Sequence, residues 1–311
     1  MTEFLQFLFK GISVGSLYAL LALGYTMVYG ILQFINFAHS DVFMLGAFFS
    51  WRYATLLGWS SPTGAQAAAL LLMAMATCAI VGYLIERLAY RPLRHAPRIN
   101  VLITAIGVSL FIENTAQLEK ICVGNLCVPL FGKYVRQVPT FAERIFHVGG
   151  ATVRSVDLIA VGAAIVLMLA LQWLVFGTKT GRGMRAVSHD HNVAGLMGVP
   201  VDRIISLTFV IGSALAGAAG LLVGMTYGQI KQPADASWIL YGLKAFIAAV
   251  IGGIGNVRGA MLGGLLLGLS EQFVAGYVST TFRDAIAFGL LILILLVRPT
   301  GLLGKTVVEK V

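Results

Sequence analysis

The chain has 311 residues, of which 58% are hydrophobic and 11% charged, with 22 Lys and Arg against 13 Asp and Glu and a mean hydropathy of +0.88. A soluble domain carries about 25% charged residues, so a water-soluble globular fold is excluded. The net charge of +9 reads as the basic excess that crowds cytoplasmic loops and orients membrane proteins, not as a nucleic-acid surface.

The first apolar run, Gly11–Gln33, holds no charged side chain, and Ala65–Ile85, Val156–Phe176, Ile204–Tyr227 and Ala285–Val297 hold almost none. About eighteen such residues, rising roughly 1.5 Å each, cross a hydrocarbon core of about 30 Å. In lipid the backbone must be paired internally, which leaves helices or closed barrels. These runs are too long for the roughly ten-residue alternating strands of a barrel. The expected fold is therefore all-α: a polytopic transmembrane helical bundle, with one membrane domain over residues 1–311. Spans are expected near 11–33, 41–58, 64–86, 99–117, 156–176, 204–227, 239–254, 259–278 and 284–298. The second, seventh and eighth are short or glycine-interrupted, which leaves eight or nine crossings open. The first run is a full span without a short h-region and small-residue cleavage site, so it is expected to remain in the mature protein.

The loops orient the bundle. Arg87, Arg91, Arg94 and Arg98 crowd one short connection, and Lys179, Arg182, Arg185 and Arg203 mark a second; both are expected on the cytoplasmic side. The segment 119–155 is also basic, but it is longer, and parity places it on the opposite, periplasmic side. Its Gly, Pro and alternating Val/Thr content suggests a small hairpin. Arg298 and Lys305 then put the C-terminus in the cytoplasm. Glycines recur at spacings of four (Gly220, Gly224, Gly228; Gly255, Gly259, Gly263; Gly264, Gly268), which lays bare backbone along a helix face for close packing.

Polar residues inside these runs are the functional candidates. Asn36, His39, Ser40 and Asp41 fall between two apolar runs with hardly any loop. Polar groups at membrane depth are expensive and usually face a cavity or the bundle interior. A helix broken there exposes N–H groups able to meet a carboxylate. An ordinary interfacial turn, with Asp41 capping the next helix, fits the residues equally well. Glu113 and Asn114 lie late in the fourth span and Glu271 and Gln272 in the eighth, where they line a passage, sit near headgroups or bond a neighbouring helix. Cys122 and Cys127 have the spacing of a local disulfide if their loop meets an oxidising compartment, and Cys78 lies within a helical run.

Other motifs fail on inspection. The tail Pro299–Thr306 carries Pro299 where a Walker loop needs glycine, so no ATP site is expected in this chain. His189 and His191 are two apart and diverge on a helix, which argues against a metal pair. Between Met184 and Val199, apolar Met184, Val187, Ala194, Leu196 and Met197 alternate with polar neighbours, the pattern of a short helix lying on the membrane or docking into a partner.

Four blocks carry a family resemblance: GSLYALLALGYTMVYGILQFINFAHSDVFMLGAF, GRGMRAVSHDHNVAGLMGV, KAFIAAVIGGIGNVRGAMLGG and RPTGLLG. With them the chain resembles, almost end to end, the permease subunits of bacterial high-affinity branched-chain amino acid ABC transporters, the LivH type. One departure is Ser40, where the family usually has glycine after NFAH; a position needing φ > 0 or a very close helix approach would be disturbed by serine. The resemblance implies an importer in the bacterial inner membrane, multi-pass and embedded in the lipid bilayer. It is built from two homologous permeases, two cytoplasmic ABC ATPases and a periplasmic amino-acid-binding protein. No cofactor is implied in this chain, ATP and Mg being held by the ATPase subunits. It favours the helix break at Asn36–Asp41 and docking of the 177–203 segment on an ATPase, through Arg182, Arg185, Ala186, Ala194, Gly195 and Gly198. Asn36, His39, Ser40, Asp41, Glu113 and Glu271 are the expected substrate pathway. Permeases for urea or short amides share this architecture. An autonomous ion-coupled carrier or channel, with Asp41, Glu113 or Glu271 as its ion site, is the rival from another class. A membrane enzyme is a distant third.

Overall fold

A computed structural model describes residues 2–94, 96–123, 126–138, 140, 144–148 and 150–304. Every expected apolar run is helical. The helices are α1 (Thr2–Leu32), α2 (His39–Leu56), α3 (Gly64–Ile85), α4 (Arg98–Ala116), α5 (Ser155–Gly177), α6 (Lys179–His189), α7 (His191–Leu196), α8 (Val201–Tyr227), α9 (Ala236–Gly252), α10 (Val257–Tyr277) and α11 (Arg283–Val297). Among the described residues, seven helices are long and apolar enough to cross a membrane, with α3 counted through its π and 3-10 extension to Leu93 and α11 from the 3-10 turn that begins at Thr280. Two of the runs expected to be short remain so: α2 has 18 residues diluted by His39, Asp41 and Arg52, and α9 has 17. The third, α10, is a full helix of 21 residues despite its glycines.

Helix α1 is longer than its apolar run. It starts at Thr2, because Glu3, Gln6 and Lys10 continue the helix and nothing in Thr2–Lys10 breaks it. At about 1.5 Å per residue its 31 residues reach roughly 46 Å, beyond a core of about 30 Å, so its polar first turns extend toward the headgroups.

The chain folds as two compact units. One contains α1, α5, α6, α7, α10, α11, the start of α8 and α9 from Lys244 onward; the other contains α2, α3, α4, α8 from Ile205 and α9 up to Leu243. The segment after α4 forms more than the single hairpin expected. Strand β1 (Lys120–Val123) pairs antiparallel with β2 (Leu126–Pro129), joining Cys122 to Cys127 by a disulfide. Strand β3 (Arg136–Gln137) finds a partner outside the segment, β6 (Gln229–Ile230). Strands β4 (Ile145–Val148) and β5 (Ala151–Arg154) form a second hairpin, in the first unit.

Glycine sets how closely the helices cross. In the first unit, a Cβ on Gly15 would lie 2.9 Å from the Cα of Leu265, and one on Gly268 would strike the backbone of Gly15. In the second, a Cβ on Gly46 would come within 2.5 Å of the Gly217 Cα. The face-of-a-helix reading fits Gly220, Gly259, Gly263, Gly264 and Gly268. It fails for Gly228 and Gly255, which take left-handed backbone at φ 71° and 87° outside the helices, where a chain reversal and not packing selects glycine. We expect Gly268→Leu to destabilise the protein by about 3 kcal/mol or more through overpacking. Gly162→Leu, in α5 with open space around its Cα, should leave the thermal midpoint in detergent unchanged. Equal midpoints for the two variants would contradict this packing.

Candidate functional site

In the first unit four helices converge on one ammonium group. Lys244 of α9 is buried and ion-paired with Glu271 of α10, which is 0% exposed. Tyr18 of α1 donates to the other Glu271 oxygen, Oε2, at 2.8 Å. Asp284, in the first turn of α11 and 52% exposed, approaches Lys244 Nζ at 2.6 Å. Isolated buried charges are strongly disfavoured, and pairing with further hydrogen bonds compensates them. Glu271, expected on a pathway, is thus engaged by a lysine and a tyrosine that the sequence reading did not single out. The available signal was Lys244 itself, the one Lys, Arg, His, Asp or Glu between Trp238 and Val257.

The second unit holds Asn36, His39, Ser40, Asp41 and Glu113. Helix α1 stops at Leu32, Gln33 takes left-handed backbone at φ 53°, and α2 begins at His39. Ala38 occupies the N-cap without a side-chain bond, so the expectation that Asp41 might cap α2 is overturned. Asp41 instead lies inside the first turn, buried, with Ser109 and Glu113 of α4, one helical turn apart, near its carboxyl. Its Oδ2 is buried with no partner among the described residues. Asn36 Oδ1 accepts from the Tyr90 hydroxyl at 2.6 Å, and His39 is buried beside it in the chain. Ser40 sits in ordinary helical backbone and donates to the Phe37 carbonyl at 2.9 Å. A serine at this position therefore meets no left-handed requirement. A further buried carboxylate, Glu86, was missed: Arg94 pairs with it and Ser206 donates to it at 2.7 Å. Its neighbours in sequence are the loop arginines, which masked it as loop charge.

The 177–203 segment is two helices, not one. Thr178 caps α6, accepting from the Gly181 N–H at 3.0 Å. Asp190 breaks the helix with extended backbone and caps α7, accepting from the N–H groups of Asn192 at 2.8 Å and Val193 at 3.0 Å. Those bonds, first Val193 and then Asn192, hold its carboxyl below the usual carboxylate range. Gly198, at φ 81°, ends α7. Met184, Val187 and Ala194 are buried as amphipathic spacing requires, whereas Leu196 and Met197 are 87% and 80% exposed, with Val193 also exposed. Of the six residues nominated for coupling, Arg182, Arg185, Ala186, Gly195 and Gly198 are exposed and Ala194 is buried. The Arg185 side chain turns back, donating to the Val175 carbonyl at the end of α5.

Apolar helices of membrane length, close glycine crossings and charges paired in the interior define a polytopic helical membrane protein. The family model for the branched-chain amino acid transport system / permease component matches residues 7–295, so the chain belongs to that family. It is 43% identical over 310 residues to the high-affinity branched-chain amino acid transport system permease protein LivH of Escherichia coli, covering 99% of this chain and 98% of that one. Identity to its Salmonella typhimurium counterpart is 42% over 310 residues, with the same coverage of 99% and 98%. Identity to the permease protein BraD of Pseudomonas aeruginosa is 42% over 319 residues, covering 99% and 98%. No solved structure matches.

Removing one member of a buried ion pair leaves the other uncompensated, at about 3–5 kcal/mol, while replacing both with apolar groups is far milder. Lys244→Met alone is therefore expected to melt lower in detergent than Lys244→Met/Glu271→Met together. A double variant melting below both single variants would contradict the pairing.

Proposed function

We propose that this chain is one membrane half of an ATP-driven importer of leucine, isoleucine and valine. The observation carrying this reading is identity along nearly the whole chain to permeases named for branched-chain amino acid transport. A second, homologous permease supplies the other half of the path, two ATPases bind the cytoplasmic face, and a periplasmic binding protein delivers the amino acid. The C-terminus lies on the cytoplasmic side, with the Cys122–Cys127 hairpin on the oxidising side, where a disulfide persists.

The ATPases dock on α7. Val193, Leu196 and Met197 present an apolar patch on a six-residue helix fixed at one end by Asp190 and at the other by Gly198. An apolar helix face of this kind suits a partner's groove. ATP binding does work only by favouring one state of the bundle over another. Along the path, Asp41 supplies the counter-charge for the ammonium group of the passing amino acid, with its unpartnered Oδ2 as the acceptor. Asn36 and His39 add polar groups on the same segment, and Glu113 adds a second carboxylate from α4. An apolar side chain needs no further partner, and the binding protein selects among side chains.

Two outcomes are expected. Leu196→Asp should lower the ATPase co-purifying with the permease by about tenfold or more, since a central apolar anchor of an interface carries roughly 2 kcal/mol; full recovery of the complex would remove α7 as the docking site. Asp41→Asn should leave the complex intact and lower ATP-dependent leucine uptake in proteoliposomes by roughly tenfold or more, because a close charge pair near a protein surface is worth about 4 kcal/mol. Undiminished uptake would take Asp41 off the path, and uptake by the chain alone down an ion gradient would replace the importer with a carrier.

A further inference from the structure

Helix α5 ends on a ring held by two arginines. The half-exposed Phe176 meets the Arg185 guanidinium of α6 at 5.4 Å from its centroid and the Arg258 guanidinium of α10 at 5.2 Å. A guanidinium within about 6 Å of an aromatic face is drawn to the ring's negative quadrupole. Arg185 is held further by the Val175 carbonyl, one of the acceptors that a helix end leaves without an internal partner. One ring therefore joins the end of α5, the middle of α6 and the first turn of α10, all within the first unit.

The start of α10 is itself fixed. Asn256 caps it, its Oδ1 accepting from the N–H groups of Arg258 at 3.0 Å and Gly259 at 3.2 Å, while its Nδ2 donates to the Leu303 carbonyl at 2.8 Å. The chain after α11 closes onto α9, with Leu302 N–H bonded to the Ile251 carbonyl at 2.8 Å and Leu303 N–H to Gly252 at 3.0 Å. From Arg258 the same helix runs on to Glu271, about 20 Å away at roughly 1.5 Å per residue. Along that length Gly264 and Gly268 meet the α1 backbone directly. Contacts without intervening side chains leave little slack, and close-packed elements pass on a displacement more readily than they absorb it.

We propose that Phe176 is a positioning residue for coupling: it carries movement of the α6–α7 segment through Arg258 into α10, and so to the Lys244–Glu271 pair. This rests on the importer reading, in which the ATPases dock on α7. The claim is a coupling free energy between two places, so coupling is the quantity to measure.

The test uses the full importer complex in proteoliposomes, recording leucine moved and ATP hydrolysed for the wild type, Phe176→Leu, Phe176→Tyr and Arg258→Gln. Phe176→Leu is expected to keep its ATPases and hydrolyse ATP within about twofold of the wild type while moving at least about fivefold less leucine per ATP. Phe176→Tyr keeps the aromatic face and should restore the ratio; Arg258→Gln should lower it as Phe176→Leu does. A wild-type ratio in Phe176→Leu overturns the proposal. If Phe176→Leu fails to assemble, Arg258→Gln decides alone, and an unchanged ratio there overturns it equally. A wild-type complex without ATP-dependent uptake would bring down the importer reading and this inference with it. Normal wild-type uptake with unchanged ratios in the variants would bring down this inference alone.

Discussion

A single buried ammonium group constrains much of the first unit. Lys244 cannot be left alone in an apolar surround, so Glu271 must face it, and Glu271 can do so only where α9 and α10 run close. Gly263 of α10 permits that approach by lying against the Ala248 carbonyl of α9. On the other side of α10, Gly264 and Gly268 admit α1, which brings the Tyr18 hydroxyl to the second carboxylate oxygen. Glycine placement and charge placement are thus two halves of one arrangement: bare backbone lets helices approach until polar groups reach each other.

The second unit solves a similar problem differently. Asn36 is answered by Tyr90 and Glu86 by Arg94 and Ser206, but Asp41 keeps an oxygen without a partner among the described residues. Satisfied polar groups hold a fold together, whereas a buried acceptor left over is disfavoured unless something else uses it. That difference sets Glu271, answered by Lys244 and Tyr18, apart from Asp41, whose Oδ2 has no partner among the described residues.

Much of the architecture was legible beforehand because the bilayer imposes it. Runs of uncharged residues must be helical, so the helices appeared where length and hydropathy put them, and of the five apolar residues spaced between Met184 and Val199, Met184, Val187 and Ala194 are buried while Leu196 and Met197 are exposed. What escaped were features set by long-range packing. Tyr18 and Glu271 are 253 positions apart, and no periodicity encodes that meeting. Arg185 is exposed, as a coupling charge would be, but its contacts with the Val175 carbonyl and the ring of Phe176 could not be read from the sequence. Asp190 lies in a stretch expected to be a solvated loop, yet its extended backbone ends α6 and its carboxylate caps α7. Gly228 and Gly255 matched a helical spacing by coincidence, since left-handed backbone at a turn selects the same residue.

The ionisation state of Glu271 in lipid tests the central claim most directly. Infrared difference spectra of the wild-type protein against Glu271→Gln, both in bilayers, report which band the substitution removes. The ion pair with Lys244 predicts loss of a carboxylate stretch. Loss of a protonated-carboxyl stretch instead would mean that no charge pair organises α1, α9, α10 and α11.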